Sequence, residues 1–448
     1  MPKIAIIGGG CAGLGAATTL LGQNVSVSLF EATGQLGGRA MTSTAYAQLP
    51  VDLGPQFLQD PESNPWTAIM ESQHLEKFQP DIGDAYRIKS DAGWADILAP
   101  VETMRITGLI DDGFEAAKEI ANAPPIKPPA ANLSDAWKLA LGSNGYSAIA
   151  ESVEPWQYIA SDSGRQVSPP NGSPNIYVPG GLGTLVKNYG QTLIERYGRL
   201  LTVMFDAEVV RITSLEAQVV ISFKDKDPQE FDYVIVTVPV SQLKKIAFDP
   251  AFTDARRTAL NLVRLGSYKK VAFRPTAMPD DDDNAIKPNT EYYIYDPITD
   301  ACWQYFRLPT NDAILICVTA GDAARRLDDR DQERLLPSIL QNLLTAAYKP
   351  ADRLQTNGNF TPVDNEVVMT NWTHQPFVEG AYSYTAYDDS RAEADLTAYN
   401  ARSALSKPHG RVHFAGEALW EAAYGTIAGA YKSGEKAAGD VLALLANV

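Results

Sequence analysis

Lys3-Ile4-Ala5-Ile6-Ile7-Gly8-Gly9-Gly10-Cys11-Ala12-Gly13 stands near the start of a chain of 448 residues, an apolar run set directly against a cluster of glycines. Lys3 to Ile7 reads as a buried strand, and Ala12 to Leu21 as a helix of small residues. Gly8, Gly10 and Gly13 occupy the glycine positions of a G-x-G-x-x-G fingerprint. With no side chains there, the strand turns sharply, the backbone approaches a pyrophosphate and the helix packs close to the sheet. The helix start, at Cys11 and Ala12, offers orphan N–H groups and partial positive charge to the phosphates. A second strand, Val25 to Phe30, ends in Glu31, about 20 residues past the glycines, where a carboxylate accepts from ribose hydroxyls. An acid at that position favours an unphosphorylated adenosine ribose, hence FAD or NAD over NADP.

The residues after Glu31 separate those two. Gly34, Gly37 and Gly38 close on Arg39, whose planar guanidinium suits a phosphate or a flavin carbonyl. A nicotinamide enzyme has no need of it. At the far end, Phe414-Ala415-Gly416-Glu417 followed by Gly425-Thr426 forms another glycine-rich segment, so a cofactor long enough to use both is implied. Five blocks carry a resemblance to a known family: Glu31 to Arg39, Asp52-Leu53-Gly54-Pro55-Gln56-Phe57, Tyr177 to Leu185, Asp232 to Pro239, and Phe414 to Gly434. In this order and spacing they resemble the flavin amine oxidases, which include monoamine, polyamine and L-amino-acid oxidases and, more distantly, carotene desaturases and protoporphyrinogen oxidase. The resemblance spreads over nearly the whole chain. It implies an α/β fold: a Rossmann-like FAD-binding domain interleaved with an α+β substrate-binding domain, the amine oxidase / p-hydroxybenzoate hydroxylase-like arrangement. Residues 1–58, 175–245 and 405–448 fall to the first, and 59–174 and 246–404 to the second.

The same resemblance implies roles for single residues. Gly416 and Glu417 set an acid against the ribityl or pyrophosphate part of FAD. N–H groups near Gly425 and Thr426, where the last helix begins, face the flavin pyrimidine, and a helix N-terminus there stabilises the negative charge of the reduced ring. Val209 matches the position whose backbone holds the adenine. In Ser267-Tyr268-Lys269-Lys270-Val271 the strand alternates faces, so only one lysine points inward; the family match selects Lys270, which holds a water at flavin N5. Trp372, read as a cofactor-binding residue, and Gly380-Ala381-Tyr382 resemble the family pattern in which the tyrosine at Tyr382 forms one wall of an aromatic cage over the flavin, which orients an amine by its π faces. Ala381 stands where mammalian monoamine oxidases have a flavin-linking cysteine, so non-covalent FAD is expected. Thr426 replaces their second cage tyrosine, as in spermine-oxidase-like and lysine-demethylase-like members, and Gln56-Phe57 follow the turn where L-amino-acid oxidases place a carboxylate-gripping arginine.

Composition sets limits. The length exceeds what one core usually supports. A formal charge of −16 argues against binding nucleic acid and is compatible with a cationic substrate. Cys11, Cys302 and Cys317 form no disulfide framework and read as reduced thiols. The first strand begins at residue 3, leaving no room for a signal peptide, and no run of about 18 apolar residues occurs, so a soluble, cytoplasmic protein with no membrane span is expected. His74, His374, His409 and His413 have no metal-ligand spacing. The acidic run Asp280 to Asp283 reads as a solvated loop, Pro124 to Ala130 as punctuation in a helical insertion, and Gln332 to Tyr348 as a helix. The function expected is FAD-dependent oxidation of an amine, with hydride passing from a carbon next to nitrogen to flavin N5, O2 as acceptor, and imine hydrolysis. The alternatives are an FAD-dependent desaturase or double-bond isomerase for an apolar substrate, and a flavin-binding protein without turnover.

Overall fold

Strands that are apolar throughout need cover on both faces, and the first strand meets that need at the centre of a five-stranded sheet. A computed structural model of the protein describes residues 2–46, 49–80, 83–89, 95–97, 175–275, 286–296, 301–329, 362–385 and 400–446. Its first sheet is all parallel, in the order Val412–Phe414, Tyr233–Val236, Lys3–Ile7, Ser26–Phe30, Leu201–Met204. Three helices, Cys11–Gly22, Leu182–Tyr197 and Ile427–Leu445, bury one face around Ile4, Ile6, Leu14, Leu185 and Tyr431. A four-stranded sheet, Gln229–Phe231, Val219–Phe223, Val209–Ser214, Ala247–Asp249, buries the other around Ala5, Phe30, Val209, Ile212 and Val236. The nucleotide-type sheet is thus assembled from segments near residues 5, 28, 203, 235 and 413, which is the interleaving expected of the chain.

A second, seven-stranded sheet runs Pro362–Met369, Tyr268–Pro275, Asn311–Ala320, Ala301–Leu308, Thr290–Asp296, Gly83–Lys89, Ala95–Ile97. It is antiparallel except where Thr290–Asp296 meets Gly83–Lys89. The strand that carries both lysines is therefore central. Two sequence expectations need correction. Lys269 and Lys270 do lie on opposite faces, but each is 1% exposed, because the face expected to be open is covered by the helix Gly321–Asp328. The last helix starts at Ile427, with Gly425 and Thr426 forming its approach and cap. The expected helical insertion around Pro124–Ala130, the run Asp280 to Asp283 and the helix Gln332 to Tyr348 lie outside the described residues.

Glycines set how closely the two terminal helices meet. A Cβ at Gly434 would stand 1.9 Å from the Ala12 carbonyl oxygen, and one at Gly15 would stand 2.4 Å from that of Tyr431. Backbone touches backbone there, directly under the glycine loop. Gly434→Ala is therefore expected to overpack this contact by about 1–3 kcal/mol, lowering the thermal midpoint by several degrees. A melt that matches wild type would show that the helices can part at no cost.

Candidate active site

Both helix N-termini open onto one cavity of about 1440 Å³. That exceeds the ~300–1,000 Å³ of a drug-sized pocket, leaving room for a dinucleotide and a second ligand. Its lining includes Gly8, Gly10, Cys11, Ala12, Glu31, Gly38, Arg39, Val209, Trp372, Tyr382, Gly416, Glu417, Gly425 and Thr426, so the sequence-predicted residues converge from five stretches of chain. Two stand apart. Gly13 packs behind the loop, where a Cβ would lie 1.9 Å from the Gly8 oxygen. Lys270 lies one layer behind the wall formed by Gly54 and Gln56.

The donors suit a phosphate ester. Gly10 caps the helix Cys11–Gly22 with no side-chain hydrogen bond, and the first turn holds no acid. Its positive end is consequently left for a ligand. At Gly10, which lines the cavity, a Cβ would make only ordinary contact, 3.9 Å from Gly38 Cα. Glu31 is already partly engaged: Oε2 accepts from Gly9 N at 2.7 Å, and Oε1 from Thr33 N at 2.9 Å and Thr33 Oγ1 at 2.8 Å. A carboxylate has about four acceptor sites, which leaves one for a ribose hydroxyl.

At the other end Glu417 is the keystone. Oε1 accepts from Arg39 at 2.8 Å; Oε2 accepts from Ser383 Oγ at 2.7 Å and from Gly425 N at 2.8 Å. The Gly425 N–H, expected to face the ligand, is thus given to Glu417. Ile427 and Ala428, which also line the cavity, carry the next first-turn N–H groups of the closing helix, while Gly429 N donates to the capping Thr426 hydroxyl at 2.9 Å. Burial pushes the Glu417 carboxyl up, but Arg39, Ser383 and Arg402 outweigh it and hold the group below its ordinary value. Arg39 donates as well to the Ala381 oxygen. Arg402 donates to Ser383 Oγ at 2.7 Å. Neither Ser383 nor Arg402 was legible in the sequence, where nothing distinguishes them from other polar residues.

Lys270 is completely enclosed. Its Nζ donates to Asp52 O at 2.6 Å, Gln56 Oε1 at 2.8 Å and Gly54 O at 3.2 Å, which uses all three ammonium protons. Desolvation lowers its pKa to about 8, partly opposed by the Asp52 charge. In the sequence Asp52 stands out only as part of a motif. In the structure its carboxylate caps the helix Leu182–Tyr197, accepting from Leu182 N at 2.9 Å and Gly183 N at 3.1 Å. The cavity wall beside Lys270 is aromatic. Tyr268 and Tyr382 have ring centroids 6.1 Å apart, and Trp372, 4% exposed, donates from Nε1 to Leu53 O at 3.3 Å. Glu291 and Gln304 complete this part of the lining and bond to each other at 2.8 Å. Among the described residues no group of three or more His, Cys, Asp or Glu could hold a metal ion. None of the described helices is long and apolar enough to cross a membrane.

A parallel sheet whose glycine loop and closing helix line one cavity, together with residues of a second sheet, has the parts of a dinucleotide-binding oxidoreductase. The family model described as flavin containing amine oxidoreductase matches residues 11–442, and the chain belongs to that family; it is an FAD-dependent oxidoreductase of the expected fold. Among curated relatives, polyamine oxidase 5 of Oryza sativa subsp. japonica is 24% identical over 471 residues, covering 98% of this chain and 87% of that protein. Lysine-specific histone demethylase 1B of Mus musculus is 22% identical over 460 residues, covering 98% of this chain and 53% of that protein. A putrescine oxidase bound to putrescine superposes with a TM-score of 0.74 at 18% identity, over 99% of each chain. Cyclohexylamine oxidase from Brevibacterium oxydans IH-35A gives 0.73 at 18% identity, again over 99% of each.

Proposed function

We propose that the protein oxidises an amine that carries positive charge in solution, with residues 1–58, 175–245 and 405–448 serving the cofactor and 59–174 and 246–404 the substrate. The observation that carries this reading is an aromatic corner, Tyr268, Tyr382 and Trp372, sharing a cavity with the Glu291 carboxylate, while the Lys270 ammonium stands behind the wall. Aromatic faces and a carboxylate attract a cation, and an apolar polyene would leave Glu291 desolvated against it. FAD held there would supply the electron acceptor, taking hydride at N5 from the carbon next to nitrogen and passing the electrons to O2, and water would hydrolyse the imine.

The chain's own residues bind and orient. The N-terminus at Gly10 to Ala12 takes the pyrophosphate, Glu31 the adenosine ribose, and the Val209 backbone the adenine. Arg39 and Glu417 brace the ring end, and the first turn after Thr426 receives the negative charge that reduction develops. Tyr382 and Trp372 hold the amine with its C–H toward the ring. Lys270 keeps a positive potential at the reacting face, so a water or O2 there meets a cation through Gln56. Attachment without a covalent bond is supported by Ala381, which has no nucleophile, and by Cys11, whose burial pushes its thiol up to about 12 and keeps it protonated.

The test is to mix purified holoenzyme anaerobically with putrescine, spermine, cyclohexylamine, benzylamine, amino acids and a carotene, and to follow the flavin absorbance. Bleaching by at least one amine, with peroxide formed on readmitting air, is the expected result. Bleaching by the carotene alone would favour desaturation, and bleaching by nothing would leave a binding protein.

A further inference from the structure

We propose that the buried pair of Lys269 and Asp328 is a positioning device for Trp372, holding that wall of the substrate cavity in place from the far side of the sheet; the inference rests on the amine oxidase reading. Lys269 Nζ donates to Asp328 Oδ1 at 2.8 Å, with side chains 1% and 0% exposed. The other carboxylate oxygen, Oδ2, accepts from Thr373 N at 3.4 Å. Thr373 sits in the short turn Trp372–His374, and its hydroxyl reaches Ser267 Oγ at 3.4 Å. Trp372 is then fixed on its cavity side by Leu53 O, and its carbonyl accepts from Gly380 N at 2.8 Å, one residue before the stretch that leads into Tyr382. A single carboxylate therefore joins three parts: the strand carrying Lys270, the helix Gly321–Asp328 and the turn carrying Trp372.

Stability alone gives little reason for such a pair. Taking both charges out of water offsets most of their attraction, and apolar replacement of a whole buried pair commonly leaves a fold as stable or more so. Desolvation is visible at Lys269, whose pKa is lowered despite Asp328. Charged hydrogen bonds supply what an apolar contact lacks, a fixed direction and distance. The turn needs that constraint. Phe377 and Glu379, in the loop that continues it, hold positive φ of 61° and 55°, so the segment does not settle by local preference.

Two holoenzyme variants test this, Lys269→Met/Asp328→Leu and Asp328→Asn. The first replaces the whole pair with apolar side chains. In the second the amide oxygen still accepts from Lys269, but its NH2 confronts the Thr373 N–H. With whichever amine of the panel bleaches wild type fastest, KM should rise about tenfold, the scale of one misplaced pocket contact, while the limiting bleaching rate stays within about twofold. The thermal midpoint of the double variant should stay close to wild type, and the visible band of its flavin should shift as Trp372 moves. Wild-type KM in both variants, or a raised KM that comes with a lost rate and a lowered melting temperature, would reduce the pair to a structural contact. If the double variant fails to fold, Asp328→Asn decides. Should no amine bleach wild type, the functional reading is what has failed, and an unmoved flavin band in the variants would overturn this proposal separately.

Discussion

Lys270→Met should lower amine-driven turnover by about 10²-fold or more while the holoenzyme keeps its yellow colour, the size of effect seen when a preorganised charge is removed from a reacting centre. Its Nζ is held by Asp52 O, Gly54 O and Gln56 Oε1 within 3.2 Å, and the residue is 1% exposed. The pH profile gives a second readout. With the ammonium's pKa lowered to about 8 by burial, the wild-type rate should inflect near there, and the variant should lose that inflection. Stability runs separately. An unfolded lysine titrates at about 10.4, so between about 8 and 10.4 the unfolded chain holds a proton that the folded chain has lost, and folding gains with rising pH. Below that window the buried charge costs about 3 kcal/mol. Methionine removes that cost but leaves two backbone carbonyls without donors, at about 1–3 kcal/mol each. The two terms nearly cancel, so the variant should melt close to wild type at pH 7. A variant that turns over normally would remove Lys270 from the mechanism; one that loses both flavin and stability would make it structural.

Glu417→Ala should do the opposite: abolish flavin retention and destabilise the fold by about 3–5 kcal/mol, as expected when one partner of a buried charged network is lost. Arg39 and Arg402 would both keep their charges, and the N–H of Gly425 and the hydroxyl of Ser383 would lose their shared acceptor. Glu417→Gln keeps an acceptor and the shape, so it should cost less, about 1–3 kcal/mol. The sign of the acid response is fixed by the direction of the shift. The folded carboxyl titrates below its unfolded value of about 4.3, so its contribution is complete above that pH and is lost as pH falls through the lower, folded value. Flavin release from wild type in acid should follow that window, and Glu417→Gln should lose this component. Filtration of holoenzyme at a series of pH values, with free flavin measured in the filtrate, checks it. Retention of flavin by the alanine variant would show that the carboxylate merely accompanies the site.

Much of the site was legible because it is local. The glycine loop, Glu31 and Arg39 are read from short spacings whose geometry the backbone imposes, and the all-apolar strands announce a sheet covered on both sides. What escaped reading depends on partners far along the chain. Glu417 meets Arg39 across 378 positions and Ser383 across 34, and no periodicity encodes which arginine will arrive. Lys269 looked like the solvated member of an alternating pair, since its partner lies in Ala324-Arg325-Arg326-Leu327-Asp328-Asp329, a stretch whose charge density reads as surface. Only the fold shows that one of its two adjacent aspartates is fully buried while the other reaches outward to His374 at 3.0 Å. Asp52 escaped for a similar reason, because the helix it caps begins 130 residues later.

The order of strands in the parallel sheet bears on how the protein is made. Lys3–Ile7 is made before either of its neighbours, yet it lies between Ser26–Phe30 and Tyr233–Val236, and the helix that follows it packs against Ile427–Leu445. A nascent chain that has not reached residue 233 therefore carries a first strand open along one edge, and one that has not reached the 420s carries a cofactor loop with no floor beneath it. Such sequence-distant pairing is slow and leaves sticky edges open meanwhile. Yield in a heterologous host should accordingly respond to chaperone supply and to lowered growth temperature more than to added riboflavin, because the cofactor site is incomplete until the helix Ile427–Leu445 has been made.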